Sequence, residues 1–472
     1  MQFGSRRAAL FALCVGFFAS GVASSNGRFP QSQRLLHDPR DPSRLVLAST
    51  FGILSSADSG ATFHHVCEQA FAKETAEGDP LLEVLPDGRW LAGIASSLNR
   101  SSDCGCTWET VAAAADHEFV ADLSLTADRK VLLLSYTNDT GVFVHRLSES
   151  SDAGSTWQPR AELSGMALAL TLDAAPSRPE RVYVSGYGRD GAGLLAVSDD
   201  RGQNFRYLPI DGASIDAQPY IAAVHPADPD FVFVRTSSLG ADSAQSDALL
   251  VSRDAGRTFR PLIRQGGALF GFALSPDGAS VAIGFGDRLA PALAVDVSAL
   301  GIYRSPIADT FAFEKVYSAS VSCLRWTQQG LFACTAERHP ELPSPFALGL
   351  ARDPSFLLTT PDPFEPVLRN EDVRGPASCL QPSCAEAWTS STCSRLRASC
   401  DLEGAPASLA CGGEAPGAGG GRGDPVLDPR DEDDSGGCAL PMRPPSASGL
   451  ATLISAVLAL GVALRRTARS AR

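Results

Sequence analysis

Ser150-Ser151-Asp152-Ala153-Gly154-Ser155-Thr156-Trp157 is the stretch on which the fold turns, because its pattern, Ser-x-Asp-x-Gly-x-Thr-aromatic, comes back along the chain. It returns as Ser56 to Phe63, Ser101 to Trp108, Ser198 to Phe205 (with Asn204 in the Thr place) and Ser252 to Phe259. The aspartates Asp58, Asp103, Asp152, Asp200 and Asp254 stand 45, 49, 48 and 54 residues apart, the length of a unit of four short strands. Two apolar, β-branched runs precede a box, as in Arg181-Val182-Tyr183-Val184 and Leu194-Leu195-Ala196-Val197, and one short strand follows it. The glycine supplies a positive φ for a hairpin turn. The carboxylate accepts turn amides, the hydroxyls pin the flanking strands, and the aromatic packs between neighbouring sheets. The five aspartates are thus structural: carboxylates on separate units do not converge on one cation.

Two worn copies continue the rhythm. Tyr303-Arg304-Ser305 leads to Phe311-Ala312-Phe313-Glu314, and Leu350-Ala351-Arg352-Asp353 leads to Phe364-Glu365-Pro366; both lack the glycine and the box aspartate. Seven units over residues 28–370 predict an all-β chain whose body is a seven-bladed β-propeller. The pattern resembles the Asp-box (BNR) repeat families: sialidases, sortilin-type receptor propellers, two-propeller xyloglucanases and photosystem assembly-factor propellers. That resemblance implies the fold and leaves the chemistry open, because those families share the box and differ in activity.

Outside the repeats the chain reads as an exported protein. Residues 1–23 carry Arg6 and Arg7, an apolar run from Ala8 to Ser20 and the small-residue site Gly21-Val22-Ala23, the layout of a secretory signal peptide. Residues 371–415 form a Cys-rich segment stabilised by disulfides, and residues 416–446 a flexible acidic Gly/Pro linker, within which Arg422-Gly423-Asp424 is read as a chance tripeptide. Residues 447–464 are uncharged and long enough for a transmembrane helix, and the basic tail 465–472 keeps that end cytoplasmic. The order Gly436-Gly437-Cys438, apolar helix, Arg cluster resembles the MYXO-CTERM sorting signal of myxobacteria and their relatives. The resemblance implies cleavage near Cys438 and delivery to the outer membrane or cell surface; an ordinary single-span anchor is the other reading.

Of the 12 cysteines, five lie in the body (Cys67, Cys104, Cys106, Cys323, Cys334) and five in the tail (Cys379, Cys384, Cys393, Cys400, Cys411), besides Cys14 and Cys438. If those ten all pair, an odd number of bridges joins body to tail. Cys323 and Cys334 flank Thr327-Gln328-Gln329-Gly330 and are placed for a hairpin disulfide. Zinc is not expected, since paired CxxC or Cys/His knuckles are missing, and no other metal or cofactor is called for. The net charge of −13, with no basic block outside the two ends, argues against nucleic acid as a partner. A monomer is expected.

In a propeller the turns between second and third strands share one face with the blade-to-blade connections, opposite the boxes, and ligands meet that face. The sequence places there Tyr136, Asn138 and Asp139; Tyr187, Arg189 and Asp190; Arg235; Asp287 and Arg288; and Glu337, Arg338 and His339. From these, Tyr187, Arg189, Arg235, Asp287, Arg288, Glu337 and Arg338 are the candidate ligand-binding residues. The expected function is a non-catalytic binding or display propeller that recognises an extracellular glycan, peptide or protein. The alternative is a sialidase-like glycoside hydrolase, which needs converging arginines, a Tyr nucleophile paired with Glu, and an acid. Neither a nucleophile elbow, an HExxH helix nor a phosphate loop is present.

Overall fold

A computed structural model describes residues 32–71, 80–111, 118–139, 141–238, 246–287, 295–352, 363–377, 379–380 and 382–396. The signal segment, the end of the Cys-rich segment, the linker with Cys438, the 447–464 span, the basic tail and Arg288 lie outside those residues. Among the described residues no helix is long and apolar enough to cross a membrane.

The described body is a seven-bladed β-propeller. Blade 1 covers residues 32–66, and blades 2 to 7 cover 81–110, 119–162, 168–214, 217–266, 268–317 and 321–368. Every blade is built on an antiparallel meander of four strands that lie side by side in chain order, so each set of four comes from contiguous sequence. The first strands face the axis. Ser32–Asp38 of blade 1 packs against both Leu81–Val84 of blade 2 and Val321–Thr327 of blade 7, which closes the ring.

Alternation along the strands sends side chains to both faces of each sheet, and neighbouring blades bury them against each other. The described residues contain seven buried apolar clusters, and each occupies one seam between two successive blades. A lone sheet would leave both faces wet; the ring buries them all.

The five box turns are near copies of one another. In each, the Ser hydroxyl donates to the Asp carboxylate at 2.8–2.9 Å and accepts the Gly N–H at 2.8–2.9 Å. The carboxylate also accepts the backbone N–H and side chain of the Thr, or of Asn204, at 2.6–2.9 Å. These hydroxyls therefore bond within the turn and not to the flanking strands. The residue before the glycine shares its left-handed backbone, with φ of 56–59° at Ser59, Cys104, Ala153, Arg201 and Ala255.

The box aromatic of each blade enters the seam with the blade before it: Phe63, Trp108, Trp157, Phe205 and Phe259 reach five different seams. Phe311, Phe313 and Phe364 do the same in the worn blades 6 and 7. Seam packing accounts for an aromatic that persists where the carboxylate is gone.

Strand pairing continues beyond residue 370, where the sequence rhythm stops. Val373–Pro376 runs parallel to Phe63–Val66 as a fifth, outermost strand of blade 1. Two short helices follow, Pro382–Ala387 and Cys393–Leu396, joined by a π-helical turn. Trp388, Cys393 and Leu396 are fully buried in the seam between blades 7 and 1. Cys67–Cys384 and Cys106–Cys379 bind this clasp to blades 1 and 2, while Cys323–Cys334 links directly opposed residues of blade 7. Cys104 and Cys393 are disulfide-bonded too.

Candidate functional site

The antiparallel meander sends the box turns to one end of the ring and the blade connections to the other, here called the connection face. Five of the box-end turns consume their own polar groups, as described above. The connection face divides into sectors that differ in chemistry.

Over blades 7 and 1 the tail occupies it. The Arg338 guanidinium donates to the Leu396 carbonyl at 2.6 Å, and the Glu337 carboxylate accepts the Asn370 N–H at 2.8 Å. Burial pushes the Glu337 carboxyl above its ordinary range. Both residues thus fasten the clasp. Beside them the His339 ring meets the Asp287 carboxylate at 3.3 Å across the seam between blades 6 and 7. Its Nδ1 accepts the N–H groups of Glu341 and Leu342, which leaves Nε2 to carry the proton toward Asp287. The Asp287 N–H in turn donates to the Ser320 hydroxyl at 2.9 Å.

Over blades 4 and 5, Tyr187 and Arg235 are buried, at 4% and 2% exposure. Arg235 lies directly opposite Tyr220 in the sheet, with its guanidinium 4.2 Å from that ring's centroid. Burial, with the Tyr220 phenol beside it, pushes the Tyr187 hydroxyl up to about 12. Structure therefore brings Tyr187 and Arg235 together around Tyr220, a residue the sequence did not single out. Arg189 stands apart, exposed at the tip of the Gly188–Gly191 turn.

Blade 3 presents aromatic rings. Phe119, Tyr136 and His145 are directly opposed on three adjacent strands, and Phe143 joins them diagonally. Only Tyr136 of this group stood out in the sequence; the register alone lines up the others.

Deeper in, the first strands carry charge. Arg34 of blade 1 pairs with Glu83 of blade 2 at 2.5 Å and donates to the Leu82 carbonyl, all buried. Asp122 of blade 3 accepts the N–H groups of Leu123 and of Leu172 in blade 4. The first strands of blades 4, 5 and 6 each carry a bulge. Thr171 accepts from Ile221, and Asp247 from Leu269. These groups stitch blades together. Among the described residues no cluster of His, Cys, Asp and Glu is arranged to hold a metal ion.

The two kinds of aspartate titrate in opposite directions. Hydrogen bonds from Thr156 and Ser150 hold the Asp152 carboxyl down at about 2, so the stability it lends is present above the ordinary Asp range and is lost as pH falls through 2. Burial pushes Asp122 up to about 7, so its ionisation costs stability as pH rises from about 4 toward 7. Carboxyl ¹³C NMR of an Asp-labelled chain, assigned with Asp122→Asn and Asp152→Asn variants, should show these two widely separated midpoints. An Asp122 midpoint near 4 would refute the burial account.

No protein-family model matches the chain, and no curated protein matches it. Several solved structures are similar in part. An ancestral GH74 enzyme is 14% identical, with 62% of this chain and 39% of that chain covered and a TM-score of 0.46. The GH74 enzyme of Niastella koreensis is also 14% identical, with 66% and 52% covered and a TM-score of 0.43. An oligogalacturonate lyase in complex with manganese is 12% identical, with 62% and 80% covered and a TM-score of 0.42. This chain spans about two fifths and about half the length of the two GH74 enzymes.

Proposed function

We propose that this chain is an exported, envelope-anchored recognition module that takes a glycan, peptide or protein ligand on its connection face without turning it over. The observation that carries this reading is the contrast between the two ends of the ring. Phe119 at 37% and Val142 at 57% are the exposed large apolar side chains among the described residues, and both belong to the connection end of blade 3. Five turns at the other end are closed hydrogen-bond circuits.

Arginine placement favours binding over sialidase-like chemistry. That chemistry needs guanidinium groups open to a substrate carboxylate, whereas Arg235 is buried against Tyr220 and Arg338 is turned to the tail carbonyl. Membership of the Asp-box families, export through residues 1–23, and anchoring through Cys438 or the 447–464 helix belong to the same proposal, on the sequence patterns given above.

A glycan array together with a fluorogenic sialoside assay on the full chain in detergent tests it. Saturable binding without turnover is the expected result. Sialoside turnover that disappears in folded Arg189→Ala and Arg288→Ala variants would replace the reading with a hydrolase.

A further inference from the structure

We propose that the connection end of blade 3 is a subsite for a neutral saccharide, with Phe119 and Tyr136 as the stacking platform. The inference rests on the reading of this face as a recognition surface and names the ligand class it takes. Phe119 and Tyr136 lie side by side on neighbouring strands, with ring centroids 5.3 Å apart and planes only 17° from parallel. Phe143 and His145 form a second near-parallel pair, 6.2 Å apart at 12°, set at an angle to the first. Phe119 opens to solvent at its edge of the sheet, while His145 is buried and braced by the Ala169 N–H of blade 4 at 3.2 Å. Exposure thus falls across the group, from Phe119 through the half-buried Tyr136 and Phe143 to the buried His145.

Because the two rings stack on one another, it is the exposed side of Phe119 that offers the negative face of a π-system, with Tyr136 backing it, and the partner that fits it is a flat array of weakly positive C–H groups with hydroxyls at its rim. The C–H face of a pyranose has that shape. Asn138, exposed two residues beyond Tyr136, supplies an amide that can both donate and accept at such a rim.

Charge selects against acidic sugars. Glu118 and Arg146, the charged neighbours, are tied to each other at 2.5 Å, and Ser135 donates to the same carboxylate at 3.0 Å. Burial holds His145 neutral above about pH 4. Arg146 thus shares a buried carboxylate and, by strand alternation, lies on the opposite face of the sheet from Tyr136 and His145. A protein partner is disfavoured by extent, because a stable protein interface needs about 800 Å² on each side. Phe119 and Val142 expose only a small apolar area around these rings.

The test is calorimetric titration of the full chain in detergent with neutral oligosaccharides of β- and α-linked hexoses, alongside sialylated and uronic-acid oligosaccharides. A neutral series should bind, with affinity falling tenfold or more in Phe119→Ala and restored in Phe119→Trp. Phe119 is exposed, so neither change threatens folding; circular dichroism checks this. Neutral sugars bound equally well by Phe119→Ala would overturn the platform and leave the face as a recognition surface. Binding confined to acidic sugars, or capture of a protein that Phe119→Ala abolishes, would overturn the ligand class alone. A ligand that protects only the box end from hydroxyl-radical footprinting would overturn both.

Discussion

A full chain with Cys67, Cys106, Cys379 and Cys384 all changed to alanine will unfold at a far lower urea concentration than the wild-type chain. Cys67–Cys384 spans 317 residues and Cys106–Cys379 spans 273. In the chain-entropy picture a bond across a loop of that size stabilises by about 5–6 kcal/mol, and the nested second bond, which then closes a much smaller ring, adds about 4 kcal/mol. Strain and residual structure reduce such figures, so a loss of at least about 4 kcal/mol is the expected result. That is comparable with the whole net stability of many domains, about 5–15 kcal/mol. Cys323→Ala with Cys334→Ala is the control, since its loop spans 11 residues and its stabilisation is about 3 kcal/mol or less. The clasp also plugs the closing seam with Trp388 and Leu396, so its release exposes apolar surface there. Urea melts under non-oxidising and non-reducing conditions decide the matter; a quadruple variant as stable as the wild type would show that blades 7 and 1 hold together unaided.

Gly202→Ala has the second-largest expected effect. Gly202 has φ of +77°, and a Cβ there would come within 2.1 Å of the Leu147 Cδ2 in blade 3. Three other box glycines also meet the previous blade, less tightly: a Cβ at Gly256 would come within 2.5 Å of Leu195, at Gly60 within 2.6 Å of Val367 across the closing seam, and at Gly154 within 3.0 Å of Leu91. The left-handed backbone costs an alanine about 1 kcal/mol, and forcing a methyl into a filled seam costs about 1–3 kcal/mol more. Gly212→Ala separates the two contributions, because Gly212 has φ of +87° with nothing within 4 Å of its Cβ position. Thermal melts should place Gly202→Ala about 2–4 kcal/mol below wild type and Gly212→Ala about 1 kcal/mol below. Equal losses in both would mean that backbone conformation, not seam packing, dictates the glycine.

Blade number was legible because the box is local: one octapeptide holds its turn and its aromatic anchor, and the seam keeps Phe311 and Phe364 even where the turn has decayed. Long-range choices were not legible. Cys67 and Cys106 find partners some 300 residues away by way of the strand Val373–Pro376, which has no apolar repeat to announce it. The left-handed residue before each box glycine is Ser, Cys, Ala, Arg or Ala, so no side chain marks it. The sequence reads Arg235, Glu337 and Arg338 as turn residues on the connection face and cannot say what they touch; Arg235 lies instead inside the strand Val232–Ser238, buried. Arg235 turns out to lie under Tyr220, and the other two are committed to the tail. Phe119 escaped notice because its importance arises only from cross-strand register with Tyr136.

Since the four meander strands of every blade are contiguous in sequence and the clasp comes after all of them, the order of synthesis constrains the order of assembly. Cys379 and Cys384 follow the last strand of blade 7, so neither can find its native partner until all seven sheets have left the ribosome. Oxidation of that quartet is a completion mark: whatever inspects thiols during folding would read the finished toroid from two bonds.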